Sequence, residues 1–253
     1  MRSGLSVATC LNSNIENCSF KDINTESIGY GIQVMNSSQH ITVQNNFFEN
    51  CRHGFTTSGY DGVCMYLSVQ NNHANNCTNS AFNSHGNARF VKFYNNMIVN
   101  SQMGISVYSP FSIIESNTIV NSIKSAIYAI ESGSVNLSIN DNIINKSSDE
   151  YFSSISVLNT SENSESNYYI KINNNIINDA KNGAGISVDD KWARTAIVRH
   201  NCISNVGYHG AVVKNIFFAV LSENTLDGQF RKNLMPWKTE GVDILEFKNN
   251  SEI

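Results

Sequence analysis

Two short segments concentrate the side chains able to move protons or grip a polar ligand. Arg52-His53-Gly54-Phe55-Thr56-Thr57 carries a guanidinium and an imidazole, and Asn83-Ser84-His85-Gly86 carries an amide and a second imidazole. Imidazole titrates near neutrality, so His53 and His85 are candidates for general acid–base work or for substrate contact. Asp61, in the turn Ser58-Gly59-Tyr60-Asp61-Gly62, is the nearest carboxylate in sequence and the candidate acid, although a turn residue needs no function. Arg52, Thr56, Asn83, Tyr108 and Tyr128 are the candidate ligand contacts. Aromatic faces beside amides and hydroxyls suit a sugar ring, which offers both C–H and O–H surfaces. No cluster with metal-ligand spacing occurs. The six cysteines, at 10, 18, 51, 64, 77 and 202, fit neither a zinc pattern nor a small disulfide scaffold. No metal and no cofactor is therefore expected.

These residues need a scaffold that brings distant segments side by side, and the sequence supplies one. The pattern apolar–x–polar–Asn–x–apolar recurs along the chain: IENCSF at 15–20, VQNNFF at 43–48, VQNNHA at 69–74, FYNNMI at 93–98, and so on to FKNNSE at 247–252. Its anchors are Cys18, Asn46, Asn72, Asn96, Asn117, Asn142, Asn175, Asn201, Asn224 and Asn250, spaced 21 to 33 residues apart. Fixed-period self-similarity of this length marks a solenoid. Apolar residues three and five places before each anchor alternate with polar ones, which is the period of a strand with one face inward. Leucine is too scarce for a leucine-rich repeat. The anchors are assigned to corners, where asparagine tolerates left-handed backbone and its amides can ladder from coil to coil. A second strand follows each corner, as in GIQV at 31–34, GFTT at 54–57, AFNS at 81–84 and GISV at 104–107. Its second and fourth residues should face in, its first and third out.

In that register Thr56, Asn83, Ser106 and Tyr128 form one outward column, and Ser58, His85, Tyr108 and Ile130 the next. Coils stack about 4.8 Å apart, and His53 and His85 stand up to roughly 16 Å apart along the strand direction, so they flank a groove without touching. No outward pair of carboxylates appears on adjacent coils, as a two-acid glycosidase would need. Asp189-Asp190 is a separate acidic spot four coils beyond His85.

The expected architecture is one domain over 1–253, with coils from about 12 to 250 and projecting loops at about 146–168 and 229–239. No capping helix precedes the first coil, so the N-terminus is expected to be cut from a longer protein or else covered by a partner. A formal charge of −4 and a pI near 5.8 exclude a general nucleic-acid binder. No apolar run is long enough to span a membrane, and no signal peptide is visible.

The Asn-rich coils resemble the right-handed parallel β-helix proteins of the pectate-lyase-like superfamily. That resemblance implies an all-β, single-stranded right-handed parallel β-helix of about ten coils, and it covers nearly the whole chain. The pairing of Arg52–Thr57 with Asn83–Gly86 is similar to a segment in β-helix proteins of phages and secreted bacterial proteins. There the second element usually reads Asp-Thr-His; here Asn83 stands where that pattern has an acid. The resemblance implies a protein outside the cell or on a virion surface that binds and cleaves a polysaccharide, as hydrolase or lyase, and it allows a homotrimer. In a lyase, Arg52, His53, His85, Tyr108 and Lys124 would serve. The alternative is a non-catalytic glycan-binding adhesin or receptor-binding fibre.

Overall fold

The structure is a computed structural model of the 253-residue chain and describes residues 3–25, 27–58, 61–147, 152–159, 161, 166–228 and 234–253. Among the described residues thirty strands form three parallel sheets of ten strands each. Each sheet takes every third strand in chain order, so each of ten coils lends one strand to each sheet. Coils are numbered here by their strand in the first sheet, from Ser3–Ala8 (coil 1) and Tyr30–Met35 (coil 2) to Trp237–Glu240 (coil 10). Among the described residues the helical content is a single 3-10 turn, Glu131–Ser134, and no helix there is long and apolar enough to cross a membrane.

The repeat pointed to two strands per coil; there are three. The third is short, as in Phe47–Glu49 or Met97–Val99, and follows the anchor directly. A three-residue strand shows one inward side chain, here Phe48 or Ile98, and so gives no alternation to detect.

The anchors form a continuous buried ladder. Asn72 Oδ1 accepts from the backbone N–H of Asn46 (3.0 Å) and from its Nδ2 (3.1 Å). Asn72 Nδ2 in turn donates to Asn96 Oδ1 (3.1 Å) and to the Val43 carbonyl (2.9 Å). The same contacts repeat through Asn117, Asn142, Asn175, Asn201 and Asn224 to Asn250. Two hydrogens and two lone pairs are all satisfied, which is what burial of an amide demands. Aspartate lacks the donors and serine the reach.

The left-handed residue is the one before the anchor. Asn17, Asn45, Asn71, Asn95, Ser116, Asp141, Asn174, His200, Glu223 and Asn249 have φ between 50° and 57°. The anchor is asparagine because of the ladder, and its predecessor is polar and mostly Asn or Asp because of the backbone.

A second correction concerns the first-sheet strands. Their leading residues, expected to face out, are turned inward. A Cβ on Gly54 would lie 2.8 Å from the Phe48 ring and one on Gly104 2.8 Å from Ile119, while Ala81 and Ala126 are fully buried. Only a small residue fits where the chain turns this close to the core. The second and fourth positions do face in, and Phe48, Phe55, Phe82 and Phe93 interlock there with ring centroids 5.9–6.3 Å apart. Cys51 and Cys77 are free buried thiols, continued by Ser101 and Ser122, with burial pushing Cys77 up to about 12.

Of the two expected projections, 146–168 is interrupted by the paired strand Ile155–Asn159, and its residues 148–151, 160 and 162–165 lie outside the described residues. In 229–239, residues 229–233 lie outside them, and Trp237 onward pairs with Ala211–Lys214.

Replacing Asn117 by leucine strands the buried Asn96 donors that its Oδ1 satisfies. The expected cost is about 3 kcal/mol or more by denaturant unfolding, against no more than about 0.5 kcal/mol for Asn121→Ala, whose amide bond is exposed. Equal costs would mean that the buried ladder is not the reason for the repeat.

Candidate functional site

The outward column of the first sheet is open along most of its length and deep over coils 3 to 5. Gln33, Tyr128, Ser156 and Ser187 are half-buried, whereas Thr56, Asn83 and Ser106 are 1%, 5% and 2% exposed. Walls rise on both sides of them. One carries Tyr30, Arg52 and His53 at the corner entering the sheet; the other carries His85 and Tyr108 at the corner leaving it. Between lies a cleft of about 260 Å³, lined by Arg52, His53, Asn83, His85 and Tyr108 together with Tyr30, Ser27, Asn79, Ser80, Met103 and Ser106.

The backbone of the first wall is pinned by the loop before it. Arg52 N–H donates to the Ile23 and Gly29 carbonyls (3.1 and 2.9 Å), and His53 N–H to Gly29 (3.0 Å). His53 is 3% exposed, and both its ring nitrogens are engaged: Nδ1 with the Ser80 carbonyl (2.6 Å) and Nε2 with an Arg52 guanidinium nitrogen (2.8 Å). A carbonyl only accepts and a guanidinium only donates, so the ring is the neutral Nδ1–H tautomer. Burial, and secondarily the neighbouring Arg52 charge, lower its pKa to about 4. Tyr30 stacks on the ring at 5.7 Å, and the Arg52 guanidinium stands 6.0 Å from the Tyr30 centroid. His53 was a candidate base, but its only lone pair is occupied. Its place here is to hold Arg52. Among the described residues, no carboxylate comes within ion-pair distance of Arg52, and none lines the cleft.

The opposite wall is more open. His85 is exposed and stacks on Tyr108 with centroids 5.9 Å apart. Its backbone N–H is held by Thr57 Oγ1 (2.8 Å). Burial of part of the ring and the Arg52 charge lower its pKa, so it too is neutral at pH 7. Asn83 Nδ2 donates weakly to His85 Nε2 (3.3 Å), leaving the buried Asn83 Oδ1 with no protein partner. Burial raises the Tyr108 phenol above its usual range, with Glu131 adding to the effect. The cleft thus offers one fixed cation, a neutral imidazole on an aromatic ring, and an amide oxygen that lacks a donor.

Three of the eight residues singled out do not line the cleft. Asp61 is exposed in its turn, and its carbonyl accepts from Ser37 Oγ (3.5 Å). Thr56 is buried beside Asn83 in the same column, outside the lining, and its hydroxyl donates to the Thr57 carbonyl (3.2 Å). Tyr128 continues the column one coil beyond Ser106. Asp190 is no surface acid: it is fully buried, accepting from Tyr168 Oη (2.7 Å) and from the Trp192 and Ala193 N–H groups (3.0 Å each). Lys124 packs on Phe152. Among the described residues no group of three or more His, Cys, Asp or Glu could hold a metal ion. Sequence reasoning missed Tyr30, Ser80 and Met103. They share the His53 column, as the Tyr30–His53 and Ser80–Met103 pairings show, and following that column to its near neighbours would have found them.

Comparison with known proteins agrees with the architecture. Residues 1–113 match the family described as a right handed beta helix region. A capsule K1-specific depolymerase of Klebsiella phage K64-1 is 31% identical over 97 residues, 37% of this chain but 10% of that protein. The tailspike gp61 of Pseudomonas phage phi297 superposes over 95% of this chain and 41% of its own, with a TM-score of 0.72 at 14% identity. The catalytic unit of the GH87 α-1,3-glucanase of Streptomyces thermodiastaticus strain HF3-3 does so over 94% and 50%, with a TM-score of 0.65 at 13% identity. The chain therefore spans a tenth to a half of these relatives' lengths.

His53 makes a clean pH prediction. Its folded pKa, about 4, lies below the unfolded value of 6.5. Its contribution is fully present above pH 6.5 and is lost as pH falls towards 4. The loss is about 3 kcal/mol over that window. Unfolding at pH 7 and pH 4.5 should show wild type losing markedly more stability than His53→Gln; equal losses would contradict the buried neutral ring.

Proposed function

Taking the chain as a right-handed parallel β-helix protein, we propose that it binds an acidic polysaccharide in the cleft over coils 2 to 5, with Arg52 reading the anionic group. The observation that carries this is Arg52, fixed between Tyr30 and the Nε2 of a neutral His53, with no ion-pair partner among the described residues. A guanidinium held by a ring stack and a single imidazole bond leaves its remaining donors for a carboxylate or a similar group. Tyr108, stacked on His85, supplies an apolar face for a ring, and the Asn83 amide oxygen awaits a hydroxyl. The depolymerase and tailspike relatives support a glycan ligand and a place on a virion surface or otherwise outside the cell. A homotrimer belongs to the same reading, and mass by light scattering tests it.

Cleavage is a second reading, and the absence of any carboxylate among the described lining residues favours β-elimination over two-carboxylate hydrolysis. In that step Arg52 neutralises a uronate carboxylate, and His85, once the weak bond from Asn83 Nδ2 to its Nε2 gives way, takes the C5 proton on that nitrogen as the neutral base. The C4–O bond breaks as the C4–C5 double bond forms, and the leaving oxygen takes up a proton from Tyr108 or water. The product would carry an unsaturated uronate absorbing in the near ultraviolet. A hydrolase would leave only a new reducing end. A non-catalytic adhesin would leave the polymer intact.

Binding can be measured with K1 capsule, polygalacturonate, hyaluronan and colominic acid, with neutral dextran as control. Arg52→Gln should weaken binding of the preferred acidic polymer by at least about tenfold, or 1.4 kcal/mol, measured well below the Tm of both proteins because the buried His53 Nε2 also loses its donor. His85→Ala should weaken it less and abolish any turnover. A preference for dextran, or undiminished binding by Arg52→Gln, would sink the proposal.

A further inference from the structure

A second cleft lies far from the first, at the corner between the first and second sheets over coils 7 to 10. It has a volume of about 450 Å³, within the range of small-ligand sites. Consecutive coils contribute Asn167, then Lys191 to Arg194, then Asn215 to Phe217, then Gly241 to Asp243. These stretches are stacked because each links the same pair of sheets in successive coils. The corner turns on left-handed residues at Asn167, Asn215 and Gly241, with φ of 65°, 55° and 61°.

The chemistry repeats that of the first cleft. The Arg194 guanidinium lies 5.3 Å from the centroid of Phe217, on the next coil, as Arg52 lies over Tyr30 on the preceding one. Lys191 Nζ stands 5.1 Å from the Trp192 ring, whose indole N–H donates to the Ser161 carbonyl. Among the described residues neither cation has a carboxylate within ion-pair distance, and Asp243 is the one acid lining the cleft. Phe217 is 44% exposed, a large apolar side chain left open between charges. A ring-supported arginine loses less freedom on closing around a ligand than a free one, because its stem is already packed.

We infer that this corner is a second binding site, specific for an anionic sugar unit, read by Arg194 and Lys191 with Phe217 and Trp192 as apolar walls. The inference deepens the glycan reading and rests on it for the class of ligand. Arg52 and Arg194 stand five coils apart, about 24 Å along the solenoid axis. One extended polymer with regularly placed acidic units would engage both, the second contact being intramolecular once the first is made. Between them run Tyr108, Tyr128, Leu158 and Asp189, on or beside the outer face of the first sheet.

The chain's two tryptophans allow a direct test, since Trp237→Phe leaves Trp192 as the sole indole. That protein is titrated with glucuronate and N-acetylneuraminate, and with glucose and inorganic sulfate as controls. The expected result is a saturable change in Trp192 fluorescence with at least one acidic sugar. Arg194→Gln should weaken it by at least about tenfold, Arg52→Gln should leave it unchanged, and glucose should give none. No saturable response, an unaltered response in Arg194→Gln, or an equal response to sulfate would overturn the inference. Any of these leaves the Arg52 cleft untouched. Conversely, loss of the first reading appears as undiminished polymer binding by Arg52→Gln, a separate measurement.

Discussion

A buried asparagine amide has two hydrogens and one oxygen to satisfy, and in this solenoid it does so only if the next coil presents the same amide at the same height. Each Oδ1 takes two bonds from the coil before, and each Nδ2 gives one to the coil after. Removing a link orphans buried groups on both sides, where each costs about 1–3 kcal/mol. Coil length is then free to vary, from 21 to 33 residues between anchors, provided that the anchors stay in line. Extra residues are accommodated at corners and never within the ladder.

That freedom is what builds the cleft. With the strands of the first sheet held in register, the third positions Thr56, Asn83 and Ser106 must stack, and residues just outside the strands must form parallel walls. Arg52 and His85 belong to different coils and are far apart in sequence, yet the pairing of Thr56 with Asn83 sets them across one floor. The loop that ends at Gly29 holds Arg52 and His53 by their backbone, and the ring of Tyr30 closes the stack from below. Electrostatics follows from this packing. A buried imidazole between a carbonyl and a guanidinium cannot be a cation, so it serves as an acceptor that aims one.

Much of this was legible in the residues alone. The ten anchors, the inward alternation and the Thr56–Asn83 column rest on periodicity, which is a direct image of stacking. The third sheet was hidden because a strand as short as Phe47–Glu49 shows one inward residue. The inward turn of Gly54 was hidden because a glycine carries no side chain to betray its direction. The occupied lone pair of His53 depends on a tautomer fixed by Ser80, a contact that spacing does not encode. Asp190 next to Asp189 looks like a surface pair, and only the Tyr168 phenol beneath it shows that it points inside.

Everything proposed for the cleft turns on Arg52 facing an acidic sugar. A crystal structure of the protein soaked with oligogalacturonate tests this. The sugar's anionic group is expected within hydrogen-bonding distance of the Arg52 guanidinium, with its ring against Tyr108 and His85. A fragment bound elsewhere with the cleft empty, or one in the cleft with its anionic group turned away from Arg52, would contradict it.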